Sequence, residues 1–183
     1  MLSKCFAKNT YLIILQENLI STTTDNNNIK MYCDGGKMKN IYVPVKGKVI
    51  DITKVSDSMF ADKILGDGMA VIPTGNDVCS PIDGVIESIY PTNHAFVVRD
   101  DENHKLLVHI GIDTVTLDGE PFQRILEVGE RVKQGMCVIK SDYKLIEAKG
   151  IDSTVIVICP EGVILQKAEE VESDVQHVLF VIE

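Results

Sequence analysis

The chain has 183 residues, 45% apolar and 25% charged, with no tryptophan and a net charge of −9. That length and balance suit one globular domain with an aliphatic core, and they exclude a nucleic-acid binder working through a basic surface. No stretch approaches the roughly 20 apolar residues of a membrane span, and the five cysteines, at 5, 33, 79, 137 and 159, are odd in number and without a CxxC pair, so they read as free thiols in a reducing cytosol rather than as a disulfide or zinc framework.

Residues 1–37 read differently from the rest. Tyr11 to Leu15 is apolar, but Gln16, Glu17 and Asn18 close it before it reaches the length of a signal-peptide core. Ser21 to Thr24 and Asp25 to Asn28 form a polar run with nothing to bury, so the stretch is expected to be a poorly ordered extension to a domain over 38–183. It holds four basic and three acidic residues, which leaves the acidity to the domain. Gly35-Gly36, just ahead of Met38, is a pair whose codons can resemble a ribosome-binding site. Two readings therefore stand side by side: a leader translated ahead of a true start at Met38, and a genuine flexible extension.

From Ile41 onward, short apolar or alternating runs are punctuated by Gly, Pro, Asn and Asp. Strands are predicted at Lys48 to Ile52, Met69 to Ile72, Val85 to Tyr90, Ala95 to Arg99, Lys105 to Ile110, Met136 to Lys140, Thr154 to Cys159 and Val178 to Ile182. Asp100-Asp101-Glu102-Asn103 has the composition of a hairpin turn. Only Tyr143 to Lys149 reads as a helix. Many short strands at even spacing predict an all-β fold, an antiparallel sandwich or barrel.

Of four histidines, His94 and His109 stand in apolar strands flanking that hairpin turn. A turn centred between Asp101 and Glu102 places them opposite or nearly opposite one another, where opposed Cβ atoms are about 5 Å apart. His104, beside the charged turn, falls on the other face, and His177 reads as solvent-facing or structural. Two adjacent neutral imidazoles suit metal binding or phosphoryl transfer. Zinc at His94 and His109 would want a further ligand. Phosphoryl transfer wants one bare ring nitrogen as nucleophile, with the other pinned, and the carbonyl of Gly111 is within reach to pin it.

The stretches Phe60 to Gly75, Pro91-Thr92-Asn93-His94-Ala95-Phe96 and Val108-His109-Ile110-Gly111-Ile112-Asp113-Thr114-Val115 together resemble the glucose-family enzyme IIA of the bacterial phosphotransferase system. The resemblance runs from about Ile41 to near the C-terminus. It implies a β-sandwich with a shallow apolar depression, His109 as the residue phosphorylated through Nε2, and His94 as the partner that holds the phosphoryl oxygens. Thr92 matches a hydroxyl that orients the histidine pair, and Gly111 matches the carbonyl that receives the Nδ1 proton. Phe60, Ile64 and Leu65 match an apolar docking patch, with Met59 beside them. Asp57 and Asp113 match acids that meet an arginine of the donor. Tyr90-Pro91 and Leu107 depart from the residues common at those positions, which bears on partner choice.

The resemblance implies a cytoplasmic phosphocarrier with no required cofactor, peripheral to the membrane only through its permease. It would take a phosphoryl group from the histidine-containing carrier protein, HPr, and pass it to an enzyme IIB domain. The competing expectation from the same residues is a non-catalytic regulatory domain that has kept the fold. A zinc hydrolase is disfavoured because its HxH ligand pair is missing. The sugar is not legible.

Overall fold

The computed structural model describes residues 38–183 in backbone and side chains and, ahead of them, the backbone of three antiparallel strands, Thr10–Leu15, Asn18–Asp25 and Asn28–Tyr32, in a sheet of their own; the other residues of 1–37 lie outside the described residues. An eight-stranded antiparallel sheet runs in the spatial order Arg131–Val132, Gly84–Ile89, Ala95–Arg99, Lys105–Ile110, Val155–Cys159, Asp67–Pro73, Gly47–Asp51, Glu172–Ser173. Two three-stranded sheets pack against it: Phe122–Arg124, Cys137–Ser141 and Asp77–Cys79, and Ile164–Lys167, Val178–Ile182 and Lys39–Tyr42. The predicted antiparallel sandwich is what the chain forms.

The central strand Val155–Cys159 is apolar throughout and buried at every residue, because both faces of the sheet are covered there. Alternation sorts its side chains into two cores. Val155 and Val157, with Val49, Met69, Val71 and Val108, join the main core under the smaller sheets, built around Phe96, Phe180, Ile86 and Leu179. Ile156 and Ile158, with Ile50, Ala70, Ile52, Phe60 and Ile112, form a second cluster on the opposite face. The register lines up His109, Ile156, Ala70 and Ile50 as neighbours across four strands. His109 therefore projects from the sheet on the side of the second cluster.

The helix expected from Tyr143 is present as Tyr143–Ala148. Sequence periodicity missed a single helical turn, Ser58–Ala61, and the 3-10 turns Ile52–Lys54 and Thr114–Leu117, since three or four residues show no period. The signal that could have found the first is Asp57-Ser58: the Asp57 carboxylate accepts from the Met59 amide at 2.7 Å as an N-cap. The turn at Asp100 forms as expected, but Asp100 is buried rather than solvated. It accepts from the amides of Glu102 and His104 at 2.9 and 2.8 Å, from His104 Nδ1 and from the Lys39 ammonium.

Candidate functional site

His109 lies one residue from the end of the Lys105–Ile110 strand, where the chain leaves the sheet through Gly111. Gly111 has φ 76°, and a Cβ there would stand 2.3 Å from Thr114 Cγ2 and 2.9 Å from the Asp152 carbonyl, so only glycine fits. This tight exit turns the Gly111 carbonyl back on the strand, 2.8 Å from His109 Nδ1. A carbonyl only accepts, so Nδ1 carries the proton and Nε2 keeps its lone pair. Burial first, and the neighbouring His94 second, lower the His109 pKa to about 4, against smaller opposing effects of the Gly111 bond, Asp57 and Asp113. The ring is neutral across the physiological range.

His94 reaches His109 by a different route from the one expected. The hairpin register pairs His109 with Ala95, and the His94 carbonyl accepts from the Ile110 amide at 2.7 Å. Continued as regular strand, that pairing would put His94 on the face of Ile110, away from His109. The chain instead bends at His94, after Asn93 in the left-handed region at φ 57°. The two rings meet with centroids 5.1 Å apart at 73°. Thr92 Oγ1 lies 2.5 Å from His94 Nδ1, and Tyr90 packs its ring edge-on to His94 at 5.3 Å. Burial lowers the His94 pKa as well.

Phe60 corrects the expected patch. It is only 5% exposed and belongs to the second core, with its ring centroid 5.1 Å from that of His109. It forms a wall of the histidine site rather than an open docking surface. Ile64 at 62% and Leu65 at 40% are exposed, as are Met59, Tyr90 and Val115. Asp57 caps the turn that carries Phe60, and Asp113 sits at φ 58° just beyond Gly111. His104 is held by Asp100, while His177 lies exposed against Asp174, 2.9 Å away.

The two histidines offer two imidazole ligands, fewer than a zinc site uses. Asp100, Glu102 and His104 do bring three potential ligand atoms together. The Lys39 ammonium, however, already lies against both of those carboxylates, 2.8 Å from Glu102. Sequence reading missed the hydrogen bonds from Arg124 to Asn93 beside His94, since no local signal links residues 31 positions apart.

The site is thus a pair of imidazoles, one of them neutral and pinned at Nδ1, inside an apolar rim on an antiparallel β-sandwich. The model of the phosphoenolpyruvate-dependent sugar phosphotransferase system EIIA 1 family matches residues 39–163, and the chain belongs to that family. It is 49% identical over 109 residues to a glucose-specific EIIA component of Haemophilus influenzae, covering 60% of this chain and 66% of that one. A glucose-specific EIIA component of Borreliella burgdorferi is 40% identical over 134 residues, covering 73% of this chain and 68% of the relative. The matches thus span about two thirds of these relatives' own length. A glucose-specific EIICBA component of Staphylococcus saprophyticus is 42% identical over 109 residues, which is 16% of that longer chain. The solved glucose permease IIA from Mycoplasma capricolum superposes with a TM-score of 0.74 at 28% identity, over 80% of this chain and 96% of that one.

Proposed function

We propose that this family member carries a phosphoryl group on Nε2 of His109. The observation that carries the reading is the Nδ1 bond to the Gly111 carbonyl on a ring that stays neutral. The donor is the phosphohistidine of HPr and the acceptor is the cysteine of an enzyme IIB domain. The longer relative's name, which joins A with B and C, supports that acceptor.

In the first transfer the Nε2 lone pair attacks phosphorus in line, the new P–N bond forms, and the donor's P–N bond breaks to return a neutral imidazole. Nδ1–H stays on the Gly111 carbonyl throughout, so no proton crosses the site. In the second transfer a cysteine thiolate attacks phosphorus and the electron pair of the breaking bond returns to Nε2. Such transfers depend on positioning and charge stabilisation more than on acid–base chemistry. With Thr92 donating to Nδ1 of His94, the Nε2–H of His94 faces the phosphoryl oxygens as a donor. The exposed Met59, Ile64, Leu65 and Val115 form the docking rim, and Asp57 and Asp113 complement a basic partner.

This reading needs no metal; a zinc ion held by His94 and His109 would draw its remaining ligands from water or a partner. It places the protein in the cytoplasm; among the described residues no helix is long and apolar enough to cross a membrane. Glucose is the first sugar to test, as the relatives' names carry it. The assay is incubation with phosphoenolpyruvate, enzyme I and HPr, followed by mass spectrometry for an acid-labile adduct. Label on His109 that disappears in His109→Gln supports the carrier; a competent donor system that leaves the protein unlabelled sinks it.

A further inference from the structure

The turn that carries His94 is held from outside. Asn93 lies between Thr92 and His94, and its side-chain Oδ1 accepts two hydrogen bonds from one guanidinium: Arg124 Nε at 2.9 Å and Nη2 at 2.7 Å. The third contact of that group runs from Nη1 to the exposed Glu127, at 3.0 Å. Arg124 belongs to the Phe122–Arg124 strand of a different sheet from the strand His94 leads into. The same stretch touches the turn again at Gly119, where a Cβ would come within 3.2 Å of the Thr92 carbonyl. That stretch begins at Gly111, which holds His109. One run of chain from 111 to 124 therefore grips His109 at its start and the His94 turn at its end.

We propose that Arg124 is a positioning residue for phosphoryl transfer: by forking onto Asn93 it fixes the His94 ring relative to Nε2 of His109. The fork is geometry that guanidinium supplies and an ammonium does not. Asn readily takes the left-handed backbone found here, and the clamp acts on its side chain, which projects from the bend to the guanidinium. Transfer rates fall steeply when reacting groups are displaced by about 1 Å. The proposal rests on the carrier reading of His109.

The test compares Arg124→Met, Asn93→Gly and the double variant in the full chain. Asn93→Gly keeps the left-handed backbone accessible while removing the acceptor. Three quantities are read: the thermal midpoint, the rate of label transfer from phosphorylated HPr over a range of HPr concentrations, and the imidazole resonances by nitrogen–proton NMR. Each single variant is expected to lower the maximal rate roughly 10- to 100-fold with KM for HPr unchanged. Each moves the His94 ring resonances and leaves Nδ1–H of His109 in place, and the double variant is no slower than the slower single. Additive losses, unmoved His94 resonances, or a raised KM at full maximal rate would each overturn the proposal, the last by making Arg124 a docking charge. If Arg124→Met unfolds below the assay temperature, Asn93→Gly decides by the same readouts. A wild-type protein that takes no label defeats the carrier reading instead, and the His94 resonances still report whether Arg124 holds the turn.

Discussion

His109 is a histidine whose folded pKa lies near 4, against an unfolded value of about 6.5. Between those values the unfolded chain binds the extra proton and the folded chain does not, so stability rises with pH through the window. The neutral ring's contribution is complete above about pH 6.5 and is lost as pH falls toward 4, a difference of about 3 kcal/mol. Urea midpoints measured from pH 7 to 4.5 should fall more steeply in the wild type than in His109→Gln; parallel curves would show that the ring titrates normally. By the same logic Nε2 keeps its lone pair at pH 5.5, where an ordinary imidazole is mostly protonated, and an NMR titration of its nitrogen resonance checks that directly. Gly111→Ala is expected to cost more than 1 kcal/mol, because the added Cβ meets Thr114 and the backbone is left-handed. It should also release the Nδ1 bond and depress labelling of His109.

Among the elements, the one-turn helix Ser58–Ala61 does two jobs at once. Its cap residue Asp57 holds the turn, the turn holds Phe60 against His109, and the charge of Asp57 faces the site. Asp57→Ala should cost about 1 kcal/mol through loss of the cap. Asp57→Asn keeps a capping oxygen and removes the charge, so stability should stay within a few tenths of a kcal/mol while KM for HPr rises. Equal stability losses in both variants would mean that the charge, not the cap, holds the turn. Ile64 and Leu65 project beyond this helix into solvent. Ile64→Asp is expected to leave the thermal midpoint in place and raise KM for HPr several-fold, the outcome for a docking-rim residue rather than a core one.

On the scale of the molecule, the site stands on a sheet whose central strand, Val155–Cys159, is buried at every residue. Ile156 lies directly beside His109 in the register and is fully buried in the second core. Ile156→Ala should cost 2–5 kcal/mol as a core cavity. Because the row His109, Ile156, Ala70, Ile50 is continuous, the same substitution should loosen the site and slow labelling, whereas Val98→Ala in the main core should cost stability alone. Comparable loss of labelling per unit of stability in both variants would show that the second core has no special role.

The all-β class, eight of the strands, the Tyr143–Ala148 helix and the meeting of His94 with His109 were legible in the residues, because strand alternation and turn chemistry are short-range properties, while Thr92 entered only through the family resemblance. Legible too was the bond from His109 to Gly111, which spans two residues. What the tertiary structure decided is everything that depends on distant chain. Phe60, which the family resemblance puts in a docking patch, is core because the segment after the Gly47–Asp51 strand, carrying Ile52, Val55 and Phe60, lies over the His109 face of the sheet. His94 comes beside His109 not through regular strand pairing but through a left-handed bend at Asn93, whose side chain takes two hydrogen bonds from Arg124 of another sheet, a contact between residues far apart in the chain. Asp100, one of a run of acids, is buried because Lys39 and His104 close over it. Local sequence specifies which conformations are cheap; which side chains lose water is settled only when strands far apart in the chain are laid face to face.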